Sequence, residues 1–185
     1  MATQATFATT PEQEVTVRVA DALPLLWEAF QRLDAVPLGL AEQLLLDARR
    51  EEATTAVDEM ASVLVELLES LRVMLDDAVP FTERAVREIN SLFGTGVELL
   101  ECARDALLTE NRVLVRHMLA AGTHHAQLAN DYAMAHQQRL ADGVCLPRAS
   151  AVYLGMLEHL KGVGHHTRRI AEELAVRHVP ATGAY

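Results

Sequence analysis

Residues 82–109 read TERAVREINSLFGTGVELLECARDALLT, and their apolar side chains recur every three or four positions. Ile89, Phe93 and Leu100 fall on one stripe of a helix, and Thr82 stands where an N-cap is expected. A helix with one apolar stripe buries that stripe against its neighbours. This segment therefore predicts a long amphipathic helix inside a packed bundle.

The same periodicity recurs on both sides of this segment. It predicts four further helices at about residues 12–33, 38–77, 111–143 and 147–174, the first of them kinked or restarted at Pro24. No segment shows the alternating pattern of a strand. Five amphipathic helices with short links predict an all-α fold, packed as an antiparallel helical bundle.

The chain has 185 residues, half of them apolar, which is enough for one core. We expect a single helical bundle over residues 12–178. Residues 1–11 are expected to be a disordered N-terminus, and residues 179–185 a frayed tail.

Charge is unevenly spread along the chain. Residues 1–110 carry 21 acidic and 8 basic side chains, whereas residues 111–185 carry 5 acidic and 8 basic ones. The net charge of −10 and the lack of a concentrated basic face argue against nucleic acid as a partner. No apolar run approaches the roughly 20 residues of a membrane span, so direct membrane insertion is not expected. Two cysteines and no apolar signal core favour a cytoplasmic protein.

The sequence contains none of the common catalytic or nucleotide-binding motifs. GxGxxG, the P-loop and GxSxG are all absent, and no serine has a triad-like setting. We therefore expect a protein that is not an enzyme and has no organic cofactor.

Two pairs of adjacent histidines are candidate metal ligands. If the last two predicted helices form a hairpin, His124, His125, His165 and His166 lie at the same height. Four imidazoles at one height could bind zinc or another divalent transition metal, or sense pH. The alternative is that they are solvated or hydrogen-bonded histidines on helix surfaces.

The last predicted helix carries small residues opposite its apolar stripe. Ala151, Gly155 and Gly162 would let another helix approach closely on that face. The face is a candidate partner or dimer interface, or it packs inside the same bundle.

Three stretches resemble a known family. They are VPFTE at 79–83, HQQRLADG at 136–143 and YLGMLEHLKGVGHHTRRIAEE at 153–173. The second resembles a family pattern H-x-x-R-L-x-x-G, and the third resembles the family's closing helix. Together they resemble the PhoU family, specifically the PhoU-like cytosolic domain of bacterial sodium–phosphate cotransporters. The family's repeat is a three-helix unit, so residues 82–178 resemble a second repeat, and residues 12–78 a shortened, degenerate first repeat with two helices.

The resemblance implies a non-enzymatic regulator that binds a membrane phosphate transporter or a signalling protein, with a homo-oligomer expected. The chain would act alone, dock onto a separate membrane partner, or be a fragment of a larger transporter. Family members bind metal through carboxylate motifs, whose positions here hold Gly122, Ala126, Lys161 and His165. The histidines are either replacement ligands or remain after metal binding was lost. The alternative function is therefore that of a metal-binding helical protein.

Overall fold

The computed structural model of the chain describes residues 9–177. It contains six helices, namely α1 (Pro11–Arg32), α2 (Val36–Ala48), α3 (Thr55–Asp76), α4 (Glu83–Thr109), α5 (Arg112–Ala141) and α6 (Pro147–Arg177). No strand occurs within residues 9–177, so the predicted all-α bundle is confirmed. The predicted tail and the predicted disordered start up to residue 8 lie outside the described residues.

Side-chain caps fix the beginnings of three helices. The hydroxyl of Thr82 accepts a hydrogen bond from the backbone N–H of Ala85, as expected for the start of α4. Asn111 caps α5 through the N–H of Val113. The hydroxyl of Thr10 accepts from the N–H of Gln13, whose own side chain accepts from the N–H of Thr10, which forms a capping box.

The single helix predicted at about 38–77 is wrong, because two helices occupy this range. α2 ends at Ala48, residues 49–54 form a link, and α3 begins at Thr55. The link reads RREEAT, so its charged side chains interrupt the apolar stripe that a continuous helix would bury. The bundle therefore has six helices where five were expected.

A restart of the first helix at Pro24 is also wrong. α1 continues through Pro24 from Pro11 to Arg32. Leu23 and Leu26 on either side of the proline are fully buried. Their packing stabilises a helical path that the proline by itself disfavours.

The six helices form two units with the same pattern of contacts. In the first unit α1, α2 and α3 all contact one another, and in the second unit α4, α5 and α6 do so. α1 packs on α4 and α3 packs on α6, and these contacts join the two units. The middle helix has 13 residues in the first unit and 30 in the second. The middle helix of the first unit is therefore the shorter one, and the first unit has three helices where two were expected.

None of the helices in the described part of the chain is long and apolar enough to cross a lipid bilayer.

Candidate functional site

The structure places His125 in the core. The side chain is 2% exposed, and its Nδ1 lies 2.8 Å from the hydroxyl oxygen of Thr95. Its Nε2 lies 2.8 Å from the backbone oxygen of Leu160. Burial lowers the pKa of His125, and the nearby His124 lowers it further, although the contact with the Leu160 carbonyl acts the other way. Both ring nitrogens already have partners inside the bundle.

The other three predicted ligands do not join His125. His124 and His165 are exposed, and Nδ1 of His166 lies 3.3 Å from a carboxylate oxygen of Glu59 on α3. Across residues 9–177, no three or more His, Cys, Asp or Glu side chains form a group that could hold a metal ion. The geometry gives the predicted metal set no support.

The small-residue face of α6 packs largely within the chain. A Cβ atom on Gly162 would lie 2.9 Å from a methyl group of Val63 on α3, so this position needs glycine. Gly155 is further from α3, where its nearest side-chain atom is the Ser70 oxygen at 3.8 Å. Ala151 and Gly155 line an open groove of about 510 Å³ between α3 and α6. Of the predicted interface, only these two residues border a space that a partner could enter.

A buried ionic cluster lies where α4, α5 and α6 meet. Glu88 of α4 and Arg139 of α5 form a two-bond ion pair, with nitrogen–oxygen distances of 3.0 and 2.7 Å. The Tyr153 hydroxyl on α6 and the Arg84 guanidinium also donate to the Glu88 carboxylate. The side chains of Glu88 and Arg139 are only 8% and 13% exposed.

The cluster keeps Glu88 ionised. Burial alone would raise the pKa of its carboxyl group, but the hydrogen bonds from Arg139, Tyr153 and Arg84 lower it further than burial raises it. Burial and the Glu88 carboxylate together raise the pKa of Tyr153 far above its usual range, so its hydroxyl remains a donor. The cluster is a fixed hydrogen-bond network that ties the three helices of the second unit together.

A small cavity, the His136 cavity, borders this cluster. It has a volume of about 270 Å³ and is lined mainly by apolar side chains, with Thr82, His136, Cys145 and Tyr153 as its polar neighbours. The His136 ring lies against the Tyr153 ring at a centroid distance of 4.4 Å. Pro80 and Phe81, from the link between the two units, also line it, and the Phe81 ring lies edge-on to the Tyr153 ring at a centroid distance of 6.1 Å.

A larger apolar groove lies on the other side of Phe81. It has a volume of about 770 Å³ and runs between the ends of α1 and α3 and the start of α4. Its main apolar walls are Trp27, Phe30, Leu33, Met74, Phe81 and Val86. The indole N–H of Trp27 donates to the side-chain oxygen of Asn90 at 2.7 Å, so the polar groups of this wall are paired within the chain.

The ionic cluster, the His136 cavity and the apolar groove were not predicted from the sequence. His136 and Arg139 were noted as part of HQQRLADG, but only for their resemblance. A usable signal was present, because Glu88 lies beside the apolar stripe of α4 with Arg84 four residues before it. The partner of Glu88 is 51 residues away, and no local pattern indicates which arginine it is.

Comparison with family models, with curated proteins and with solved structures finds no match to this chain.

Proposed function

We propose that this chain is a non-enzymatic regulator that binds another protein in the apolar groove, and that the partner belongs to phosphate uptake or signalling. The observation that carries the binding role is the groove itself. It has a volume of about 770 Å³ and mainly apolar walls, and apolar grooves of this kind accept the apolar face of an amphipathic segment of another protein.

Exposed apolar side chains surround the groove. Leu33 is 71% exposed at its edge and Val86 is 37% exposed on its floor. Val36, the first residue of α2, is 70% exposed. Large exposed apolar patches on proteins are typical of interaction sites.

The charge around the groove indicates the chemistry of the partner. The arginines that directly adjoin its lining residues, Arg32 and Arg87, already pair with glutamates on their own helices. Asp34 and Asp76 directly follow the lining residues Leu33 and Leu75. An apolar partner segment flanked by lysine or arginine complements this surface and is steered toward it. We therefore commit to a basic amphipathic segment of the partner protein as the occupant.

The class of partner rests on the resemblance to the PhoU family. The family's repeat is a three-helix unit, and the chain has two three-helix units with the same contact pattern, one helix more than was expected for the first unit, which supports the proposal. A shared architecture does not fix a function by itself, so the partner needs a direct test.

The test measures binding to the purified phosphate transporter and the purified phosphate-sensing kinase of the source organism. Val86→Glu places a charge among the apolar walls. We expect the cost of burying that charge under the partner's apolar face to exceed its attraction to the flanking basic residues, and so to weaken binding at least tenfold, about 1.4 kcal/mol. Val113→Glu is the matched control, because Val113 is 61% exposed on α5 and does not line the groove. Equal binding by the wild type and both variants would show that the groove is not the site.

The same experiment separates the other occupants. If neither purified protein binds the wild type, the phosphate assignment is wrong. If the occupant is a second copy of the chain, Val86→Glu changes the oligomeric state measured by light scattering, whereas Val113→Glu leaves it unchanged.

A further inference from the structure

The His136 cavity contains a buried hydrogen-bond donor without an acceptor. His136 is 3% exposed, forms part of the cavity wall, and its Nε2 has no partner in the chain. Leaving a buried polar group unpaired costs free energy, so such groups in native proteins call for an explanation.

The surroundings of His136 show which ring nitrogen carries the proton. Nδ1 lies 3.4 Å from Nη2 of Arg139, which can only donate, and 3.9 Å from Sγ of Cys145, whose thiol is a weak donor. Nδ1 therefore accepts, and the proton of the neutral ring is on Nε2. Burial and the charge of Arg139 lower the pKa of His136, with Glu88 acting the other way, so the ring is neutral at neutral pH. The group that lacks a partner is an N–H, and it needs an acceptor.

The charge of the neighbouring cluster favours an anion as that acceptor. Glu88 neutralises Arg139, and Arg84 brings a second guanidinium to the same carboxylate. The cluster thus holds one more cation than it has carboxylates. The Nε atom of Arg139 is a second buried donor without a partner. The Arg84 side chain is 58% exposed, so the extra positive charge lies where the cluster meets the surface, and one further carboxylate beside the cluster would balance it.

The walls of the cavity indicate the size and polarity of the part of the ligand that does not accept the hydrogen bond. Phe81, Ala85, Leu146 and Ala149 contribute apolar surface. A volume of about 270 Å³ is just below the roughly 300–1,000 Å³ of pockets for drug-sized molecules, so the ligand is short. Val144 at the edge is 65% exposed, which places the entrance at the link between α5 and α6.

We propose that the His136 cavity binds a small organic carboxylate with a short apolar chain. The carboxylate accepts the Nε2–H of His136, and the chain lies against Phe81 and Ala149. This binding site is separate from the apolar groove and does not depend on the function proposed above.

The two cysteines allow a test on the unmodified chain. Cys145 lines the cavity, whereas Cys102 lies on α4 away from it, and both are free and half-buried. The probe is butyrate, and the matched control is butylammonium, which has the same chain and the opposite charge. At ten times its dissociation constant, butyrate should slow the alkylation of Cys145 about tenfold. Alkylation of Cys102, followed by peptide mass spectrometry, should not change.

Two variants connect the protection to the cavity. His136→Phe keeps a ring beside Tyr153 and removes the Nε2–H, and Ala149→Leu fills the cavity. Both should abolish protection by butyrate while the helical circular dichroism remains that of the wild type. If His136→Phe does not fold, nuclear magnetic resonance of the wild type replaces it. Butyrate should then shift the imidazole signals of His136 but not those of the exposed His117.

Three results would overturn the proposal. The first is an unchanged rate of Cys145 alkylation with butyrate, which is expected if only an ordered water fills the cavity. The second is equal protection of Cys145 by butylammonium. The third is undiminished protection by butyrate in a folded His136→Phe variant. None of them affects the proposal for the apolar groove, since Val86 does not line the His136 cavity.

Discussion

The carboxylate of Glu88 accepts four hydrogen bonds, two from Arg139 and one each from Arg84 and Tyr153. Three of these four donors are on α5 and α6, so the network reaches across the second unit. Removing one member of a buried ion pair leaves the other charged and without compensation, which is far more costly than losing a surface pair. Glu88 is therefore a residue on which the packing of three helices depends.

We predict that Glu88→Gln lowers the free energy of unfolding by about 3–5 kcal/mol, because Arg139 stays buried and charged without its carboxylate. Urea denaturation followed by circular dichroism measures the change. Glu83→Gln is the matched control, because the side chain of Glu83 is 94% exposed and its ion pair with Arg87, at 3.6 Å, lies on the surface. It should change stability by less than about 0.5 kcal/mol.

Acid should reduce the difference in the free energy of unfolding between the wild type and Glu88→Gln. The pKa of Glu88 in the folded chain lies below its ordinary value of 4.5. The ion pair therefore contributes its full stability above pH 4.5 and loses it as the pH falls through the folded-state pKa. If the difference in the free energy of unfolding stays constant from neutral pH into this acid range, Glu88 is not the ionised partner of Arg139.

α5 and α6 approach each other at two glycines. A Cβ atom on Gly122 would lie 2.6 Å from the backbone oxygen of Gly164, and one on Gly164 would lie 2.7 Å from that of Gly122. The obstructing atoms are backbone atoms, so they cannot move aside without a shift of a whole helix. The contact lies next to His125, whose ring atom Cδ2 would be 2.9 Å from the same Cβ on Gly164.

We predict that Gly122→Ala destabilises the chain by about 1–3 kcal/mol, since the added methyl group pushes α5 and α6 apart. The midpoint of thermal unfolding measures the effect. Gly39→Ala is the matched control on α2, where a Cβ meets no atom within 4 Å. It should stabilise by about 0.5–1 kcal/mol through helix propensity. Equal effects of the two changes would contradict the close helix contact.

The two three-helix units pack against each other through a shared interface. α6 of the second unit packs on α3 of the first, where Glu59 pairs with Arg169 and Gly162 fits against Val63. At one end of the bundle Arg177 pairs with Glu12 of α1 through two bonds of 2.8 and 2.9 Å. The contacts of α1 with α4 and of α3 with α6 both join the units.

We predict that the two units unfold together. Trp27, the chain's one tryptophan, lies in the first unit and packs on Phe93 of the second. Its fluorescence and the circular dichroism of the whole chain should therefore follow the same urea transition. Two separate midpoints would mean that each unit is stable without the other.

Local sequence was sufficient for much of the fold. The helical class, the caps Thr82 and Asn111 and the stop near Gly143 follow from periodicity and from capping chemistry within a few residues. The continuous helix predicted across residues 49–54 was wrong, because the apolar stripes of α2 and α3 are interrupted by the charged link between them. The restart at Pro24 was wrong for the opposite reason, since burial of the neighbouring leucines outweighs the local preference of proline.

The candidate site could not be predicted in the same way. Matching numbers along a hairpin placed four histidines at the same height, but the same height does not make them converge, because the rotation of α5 places His125 in the core and leaves His124 exposed. The pairing of Glu88 with Arg139, the cavity beside His136 and the groove around Phe81 join segments that are distant in the chain. Periodicity specifies which face of each helix is apolar. Which faces meet, and at what height, depends on the packing of all six helices together, and only the tertiary structure decides it.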